Sequence, residues 1–478
     1  LRNQAISRRA FVETLAALPV LAAAPSSGGW QSSAGWSDLF DGHTMNGWTP
    51  SEHKDSWHVV DGMLTANGPR SHLFYSGPVH NADFRNFELE VELITQPECN
   101  SGVYFHTQYQ ETGFPEKGFE IQVNNTALGD GGYRERKKTG SLYGLRNMYM
   151  QLVPDLKPFQ YNIAVRGKNV QIRLNGQLLV DYVEPTPPVV PAGGEKGRFL
   201  DHGTFALQCH NNGSRAAYRK VRVRPLPDNL PAYTAAAPAP VADEVFRQII
   251  NIGRHNIPMV DYHAFLRDGM TLEQLLAKSR RDGLQYGLTA LSSQVATPEA
   301  AEKWLSPYAG KPVFCALEAE NSSWRKTVSR ATAQRFHYVL ASGKQPFTNI
   351  DNFLVSTINR LDTEPIDFYT NATYLPPPLE SRRDQLWTEA RASRLIEALV
   401  RNKVAVEINT LHELPSKTFV ERAKQAGCQF GFGTGNQSAA QLKRCEYGLR
   451  LVEECKLDWK DFYAPGPKLA KISQWPDI

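Results

Sequence analysis

At 478 residues the chain exceeds what one ordinary hydrophobic core organises, so two or three domains are expected. Hydrophobic residues make up 41% and charged residues 21%, values that exclude a disordered or fibrous chain. Lys and Arg (53) nearly balance Asp and Glu (49), and a net charge of +4 argues against electrostatic capture of nucleic acid or an anionic membrane.

The first thirty residues have a grammar of their own. They combine a basic start, the pair Arg8-Arg9 followed by Phe11, and an apolar run ending at Ala22-Ala23-Ala24. This layout resembles a twin-arginine (Tat) export signal; the other reading is a buried helix that carries two arginines. As a signal, residues 1–30 stand outside the fold, and the protein is expected to be periplasmic or secreted. No membrane role beyond export is expected, because nothing in the body of the chain is long and apolar enough to span. Six cysteines (Cys99, Cys209, Cys315, Cys428, Cys445, Cys455) show no CxxC and no histidine at ligand spacing, so a zinc site is not expected.

From Trp36 to about Leu226 the chain is written in strands. "NFELEVELI" alternates Phe87, Leu89, Val91 and Leu93 with Glu88, Glu90 and Glu92, which predicts a strand with one wet face. "SGVYFHTQ", "GFEIQVNN", "YNIAVRG", "VQIRLNGQLLVDY", "GTFALQCH" and "RKVRVRPL" follow, separated by turn residues, with an Asn175-Gly176 hairpin signal. An all-β sandwich is expected for residues 36–226. A Pro/Ala-rich linker follows over 227–243.

From about Glu244 to 465 apolar strands alternate with helical stretches. "IPMVDYH", "QYGLTAL", "PVFCALEAE", "FHYVLA", "IDFYTNATYL", "VAVEINT" and "CQFGFGTG" read as strands. "TLEQLLAKSRRDG", "EARASRLIEALVRNK" and "SAAQLKRCEYGLRLVEECK" read as helices. Seven βα units favour a barrel over an open sheet.

"GFEIQVNN" is the most informative segment for chemistry. On a strand Glu120, Gln122 and Asn124 share one face at about 7 Å intervals, and Phe119, Ile121 and Val123 share the other. Mixed carboxylate and amide donors and acceptors suit sugar hydroxyls, and they equally suit a solvated outer face. "SGVYFHTQ" sets Tyr104 and His106 on one face, so His106 is expected beside Glu120 if the strands are neighbours. "TGSLYG" offers Ser141 and Tyr143 as sugar contacts or as a packed turn, and "ALQCH" offers Gln208 and His210. Trp48 and Trp57 are assigned to the core. In the second half Glu318, Glu320, Asn371, Glu407 and Asn409 fall at strand ends, where βα barrels keep their sites.

The landmarks "WSDLFDGHTMNGW", "WHVVDGMLTA", "FELEVEL", "NSGVYFH", "GFEIQVNN", "TGSLYG", "LNGQLLVDY" and "GTFALQCH" occur in order, and together they resemble the 3-keto-disaccharide hydrolase family. That resemblance implies a concanavalin-like jelly roll with its sugar site at the Glu120 strand. It also implies cleavage of oxidised oligosaccharides or glycosides by removal of the C2 proton beside a C3 carbonyl. Glu120 or His106 would be the catalytic base, with Gln122, Asn124, Tyr143, Gln208 and His210 binding substrate. Asn124 stands where the family has Asp, and His106 where it often has Arg. A divalent metal is compatible with the chemistry, but no motif requires one.

"MVDYHAFLRDGMTLEQLLAKSRRDGLQYGLT", "IDFYTNATYLP" and "FGFGTGNQS" resemble the PHP (polymerase and histidinol phosphatase) family, which implies a (β/α)7 barrel with several histidine ligands. The opening motif is His263-Ala264-Phe265 and keeps one of the two expected histidines. A degenerate, accessory barrel is therefore expected, because missing imidazoles must be replaced by other donors. Two other function classes remain open. One is a non-catalytic carbohydrate-binding sandwich, and the other is a metal-dependent phosphoesterase in the barrel.

Overall fold

A computed structural model describes residues 35–129, 132–189, 197–230 and 242–465. The export signal expected over 1–30 and most of the linker expected over 227–243 lie outside the described residues. The chain divides into two compact units, residues 1–143 with 151–240, and residues 144–150 with 241–478. No helix of the described residues is long and apolar enough to cross a membrane.

The first unit is the expected sandwich of antiparallel sheets. Its strands are β1 (Ser37–Asp38), β2 (Trp48–Pro50), β3 (Trp57–Val60), β4 (Met63–Asn67), β5 (Ser71–Tyr75), β6 (Asn86–Thr95) and β7 (Asn100–Thr107). They continue with β8 (Phe119–Asn124), β9 (Phe159–Arg166), β10 (Asn169–Leu174), β11 (Gln177–Val183), β12 (Thr204–Cys209) and β13 (Arg215–Leu226). One sheet runs β11-β10-β9-β6-β13-β4-β3 with β1 on β13, and the other runs β2-β5-β12-β7-β8. Their inner faces meet through Phe87, whose ring lies 5.8 Å from Phe105 and 4.9 Å from Phe205. The β10–β11 hairpin turns on Asn175 and Gly176, both at positive φ (48° and 81°), as a type I′ turn requires.

The glutamates of β6 correct the expectation of a wet face. Glu88 and Glu90 are buried, because β13 pairs with β6 in a register that sets Arg224 opposite Glu88 and Arg222 opposite Glu90. Arg222 reaches Glu90 at 2.9 Å, Lys220 reaches it at 3.1 Å, and Trp36 lies against the Arg222 guanidinium at 4.8 Å. The alternation in "RKVRVRPL" therefore supplies the complementary charges, and the ladder covers itself. Trp48 and Trp57 are core residues as assigned; their indole N–H groups donate to the Leu39 carbonyl and the Ser71 hydroxyl.

The second unit is a closed barrel of seven parallel strands. They are β14 (Val260–Ala264), β15 (Gln285–Leu291), β16 (Val313–Glu318), β17 (Tyr338–Ser342), β18 (Phe368–Thr370), β19 (Ala405–Asn409) and β20 (Phe430–Gly433), and β20 pairs back onto β14. Tyr262, Tyr338 and Phe368 pack together with centroids 5.5 Å from Tyr262, and Gly431 leaves room for them. Helix Leu272–Asp282 begins in a Thr271/Gln274 capping box and stops at Gly283 (φ 76°), as its sequence predicts. The stretch expected as one helix from Ser438 is split into a short turn, Ala439–Gln441, and a helix, Glu446–Glu454. Cys445 takes φ 61°, and Arg444 is tied to Asp243 at 2.8 Å, so the chain cannot run straight through. Residues 144–150 belong to this unit; the Tyr149 N–H donates to Gln285 Oε1 at 2.6 Å. All six cysteines are buried.

Candidate functional site

Strand β8 carries Glu120, Gln122 and Asn124 on the face of the five-stranded sheet that points away from the other sheet. Alternation would expose that face, yet all six residues of β8 are buried. The segment after Lys138 runs alongside β8: the Thr139, Tyr143 and Gln122 N–H groups bond the Asn124, Glu120 and Ser141 carbonyls at 2.9–3.0 Å. Phe114 and Tyr109 cover the same face further along, with rings 5.8 Å from His72 and 5.4 Å from Phe74. The polar face is thus roofed by loops, which removes bulk water from its carboxylate.

Glu120 sits opposite Tyr104 of β7, and the Tyr104 hydroxyl bonds its carboxyl. Space for that carboxyl comes from Gly102, where an added Cβ would come within 2.6 Å of Glu120 Oε1. Burial pushes Glu120 up to about 7, while Arg198, the Tyr104 hydroxyl and Lys137 pull it down. Gln122 donates to Asn100 Oδ1 at 2.9 Å. Asn124 donates to the Lys137 carbonyl at 3.2 Å and accepts from Lys138 at 3.4 Å, so it braces the roofing segment.

A cavity of about 570 Å³ opens beside this cluster, walled by Asn100, Tyr133, Glu135, Tyr143, His210 and Asn211 among others. Tyr143 and His210, named from sequence, meet here. Glu135 is buried and holds one side of the wall: it accepts from the Tyr143 hydroxyl at 2.9 Å and from the Tyr133 hydroxyl at 3.2 Å, and it pairs with the buried Lys137 at 3.3 Å. Lys137 also lies 4.5 Å from the Tyr143 ring centroid. Glu120 is not one of the wall residues; it keeps 6% of its surface exposed. Gln208 is buried on β12 and donates to the Tyr104 hydroxyl at 2.9 Å. Ser141 is buried and donates to the Lys138 carbonyl, so it serves the turn.

His106 is not beside Glu120. Its φ of 53° breaks the alternation at the end of β7 and turns the ring toward Phe87 and Phe105, 5.7 and 5.3 Å away. Its Nε2 meets the Arg85 carbonyl at 2.9 Å, Nδ1 accepts from Asp201 N at 3.4 Å, and burial holds it down at about 4. That is a packed structural histidine, and Tyr104 occupies the place expected for it. Sequence reasoning also missed Asn100, Glu135 and Lys137. The signal for the last two was "RERKK": a carboxylate and an ammonium at two-residue spacing before a Thr-Gly turn, which sets Glu135 and Lys137 on one side.

At the barrel mouth the structure joins three of the five strand-end residues. Glu407 accepts from His263 Nδ1 at 2.8 Å and from Asn371 N at 2.8 Å, and Glu318 lies 3.8 Å from His263 Nε2. Burial pushes His263 down, but Glu407 and Glu318 outweigh it and lift it to about 10. Glu320 bonds Ser292 and Ser293, and Asn409 bonds the 411–412 backbone and Thr434, so both anchor loops. Both His263 nitrogens face carboxylates, so this histidine is held as an ion-paired imidazolium. Among the described residues no group of three or more His, Cys, Asp or Glu is arranged to hold a metal ion.

Residues 35–224 match the family model described as a 3-keto-alpha-glucoside-1,2-lyase-like domain. No curated protein matches the chain. Among solved structures, a candidate glycosyl hydrolase from Parabacteroides distasonis ATCC 8503 is similar at 20% identity, over 40% of this chain and 94% of its own, with a TM-score of 0.34. The carbohydrate-binding module CBM66 from Bacillus subtilis shares 13% identity over 37% of this chain and 94% of its own, at a TM-score of 0.23. A Bacillus subtilis protein with a galectin-like fold shares 11% identity over 38% and 90%, at 0.29.

Proposed function

We propose that the sandwich cleaves 3-keto-glycosides by elimination across C1 and C2. The observation that carries this reading is Glu120: a buried carboxyl with its proton affinity raised to about 7, placed over Gly102 and bonded by Tyr104. A carbonyl at C3 acidifies the C2–H bond. The Glu120 carboxylate takes that proton, the electron pair forms C1=C2, and the C1–O bond breaks. The proton held by Glu120 then passes to the departing oxygen, and water adding across the double bond completes a hydrolysis. A base poised near neutrality suits this step, and paired carboxylates at fixed separation are not needed. Asn100, Tyr143 and His210 in the cavity wall position the sugar, and Lys137 and Arg198 place positive charge near the enolate. The barrel is read as an accessory, degenerate relative of PHP phosphoesterases, and the twin-arginine-like start as an export signal.

Purified full-length protein incubated with 3-keto-trehalose or 3-keto-lactose is expected to release monosaccharide, and unoxidised trehalose is expected to be left intact. One observation favours a second reading, a carbohydrate-binding sandwich without catalysis: Glu120 stands behind the cavity wall instead of in it. Saturable binding of the 3-keto sugar with no release at any pH around neutrality would decide for binding. Stoichiometric zinc or manganese retained by the purified protein would return phosphoesterase chemistry to the barrel.

A further inference from the structure

Four buried side chains cross the roofed face of the five-stranded sheet, one from each of four neighbouring strands. His72 on β5 lies opposite Gln208 on β12, and Tyr104 on β7 lies opposite Glu120 on β8. Counting hydrogens fixes the direction of every bond between them. The Tyr104 hydroxyl bonds the Glu120 carboxyl, and toward an ionised carboxylate only the hydroxyl can donate. The Tyr104 oxygen must then accept from Gln208 Nε2, at 2.9 Å. That amide nitrogen carries a second hydrogen and lies 3.4 Å from His72 Nε2. Burial, with Arg70 nearby, holds His72 down at about 3, so the ring is neutral. Its Nε2 is therefore the acceptor, and the ring proton sits on Nδ1. Gln208 Oε1 and His72 Nδ1 are buried and have no hydrogen-bond partner among the described residues, so no competing bond there pulls the amide the other way.

We propose that Gln208 and His72 are positioning residues for Glu120: the row His72–Gln208–Tyr104 orients its hydrogens one way and commits the Tyr104 proton to the Glu120 carboxylate. This rests on the reading of Glu120 as the base. Turning the Gln208 amide over would set Oε1 against the Tyr104 hydroxyl, draw that proton away, and leave the carboxylate less stabilised. The other titratable and charged groups around Glu120 are Arg198, Glu135 and Lys137 of the roofing segments, Tyr143, and Tyr218 of β13. None belongs to the row, so substitutions within it leave that surrounding charge in place.

The test follows the Glu120 carboxyl directly, by carbon NMR of full-length protein labelled at the glutamate side-chain carbon, with the Glu120 signal identified by its loss in Glu120→Gln. Tyr104→Phe is expected to raise the titration midpoint by about one unit or more. Gln208→Met should raise it less, and His72→Phe least. Nitrogen NMR of the unsubstituted protein is expected to find the His72 proton on Nδ1. A midpoint that moves in Tyr104→Phe but stays at the wild-type value in Gln208→Met and His72→Phe overturns the proposal, as does a His72 proton on Nε2. Should Gln208→Met fail to fold, the His72 tautomer decides on its own. The expected midpoint shifts in a protein that leaves 3-keto-glycosides untouched would support the row while removing the catalytic reading.

Discussion

Each unit buries a strand glutamate, and the two carboxyls meet opposite fates. In the barrel, Glu407 receives an imidazole nitrogen and a backbone N–H, both at 2.8 Å, and its partner His263 is lifted to about 10. In the sandwich, Glu120 receives a neutral hydroxyl, and burial pushes it up to about 7. A buried carboxylate bonded to an imidazolium is locked as an ion pair. One bonded to a tyrosine keeps a proton affinity close to neutral pH and can give and take a proton there. Depth of burial does not separate the two carboxyls here; the partner does.

The sharpest way to break this contrast is to remove each carboxyl's function in turn. Glu120→Gln should lower release of sugar from 3-keto-glycosides by roughly 10²–10⁴-fold, the range for a lost general base, with the circular dichroism spectrum unchanged. Full activity in that variant removes Glu120 from the chemistry. His263→Ala should instead destabilise the barrel by about 3–5 kcal/mol in urea unfolding, because Glu407 is left buried and unpaired. Gly102→Ala tests the floor of the site: the added Cβ would displace the Glu120 carboxyl, and kcat/KM should fall about tenfold or more for a small cost in stability.

Stability against pH sharpens the same comparison. Glu120 has a folded proton affinity above that of the unfolded chain, so its contribution is full below about 4.5 and is lost as pH rises through about 7. Glu120→Gln should therefore be more stable than the natural protein above neutrality, by about 1–3 kcal/mol, with the difference shrinking in mild acid. His263 is also raised, so its contribution is full below about 6.5 and is lost as pH rises toward 10. A gain in stability on raising pH from neutrality, traced to either residue, would contradict these assignments.

Much of the architecture was legible in the sequence. Two-residue alternation marked the sandwich strands and seven βα units marked the barrel, because burial imposes those periods directly. The same alternation misled at Glu88 and Glu90, since it records which residues share a face and says nothing of what covers that face. Arg222 and Arg224 cover theirs, and loops cover Glu120. His106 was misplaced for a related reason: one positive φ at the end of β7 reverses a side chain, and no residue pattern announces it. Glu135 and Lys137 were overlooked because a run of charges ordinarily faces solvent, and only the chain's return past β8 buries them.

The central claim is removal of the C2 proton by Glu120, and the product itself can report it. A 3-keto-glycoside cleaved in deuterium oxide should yield a 3-keto sugar carrying deuterium at C2, read by proton NMR, with the rate rising as pH passes through about 7 and Glu120→Gln yielding almost none. Released sugar that retains its original C2 hydrogen would contradict the mechanism.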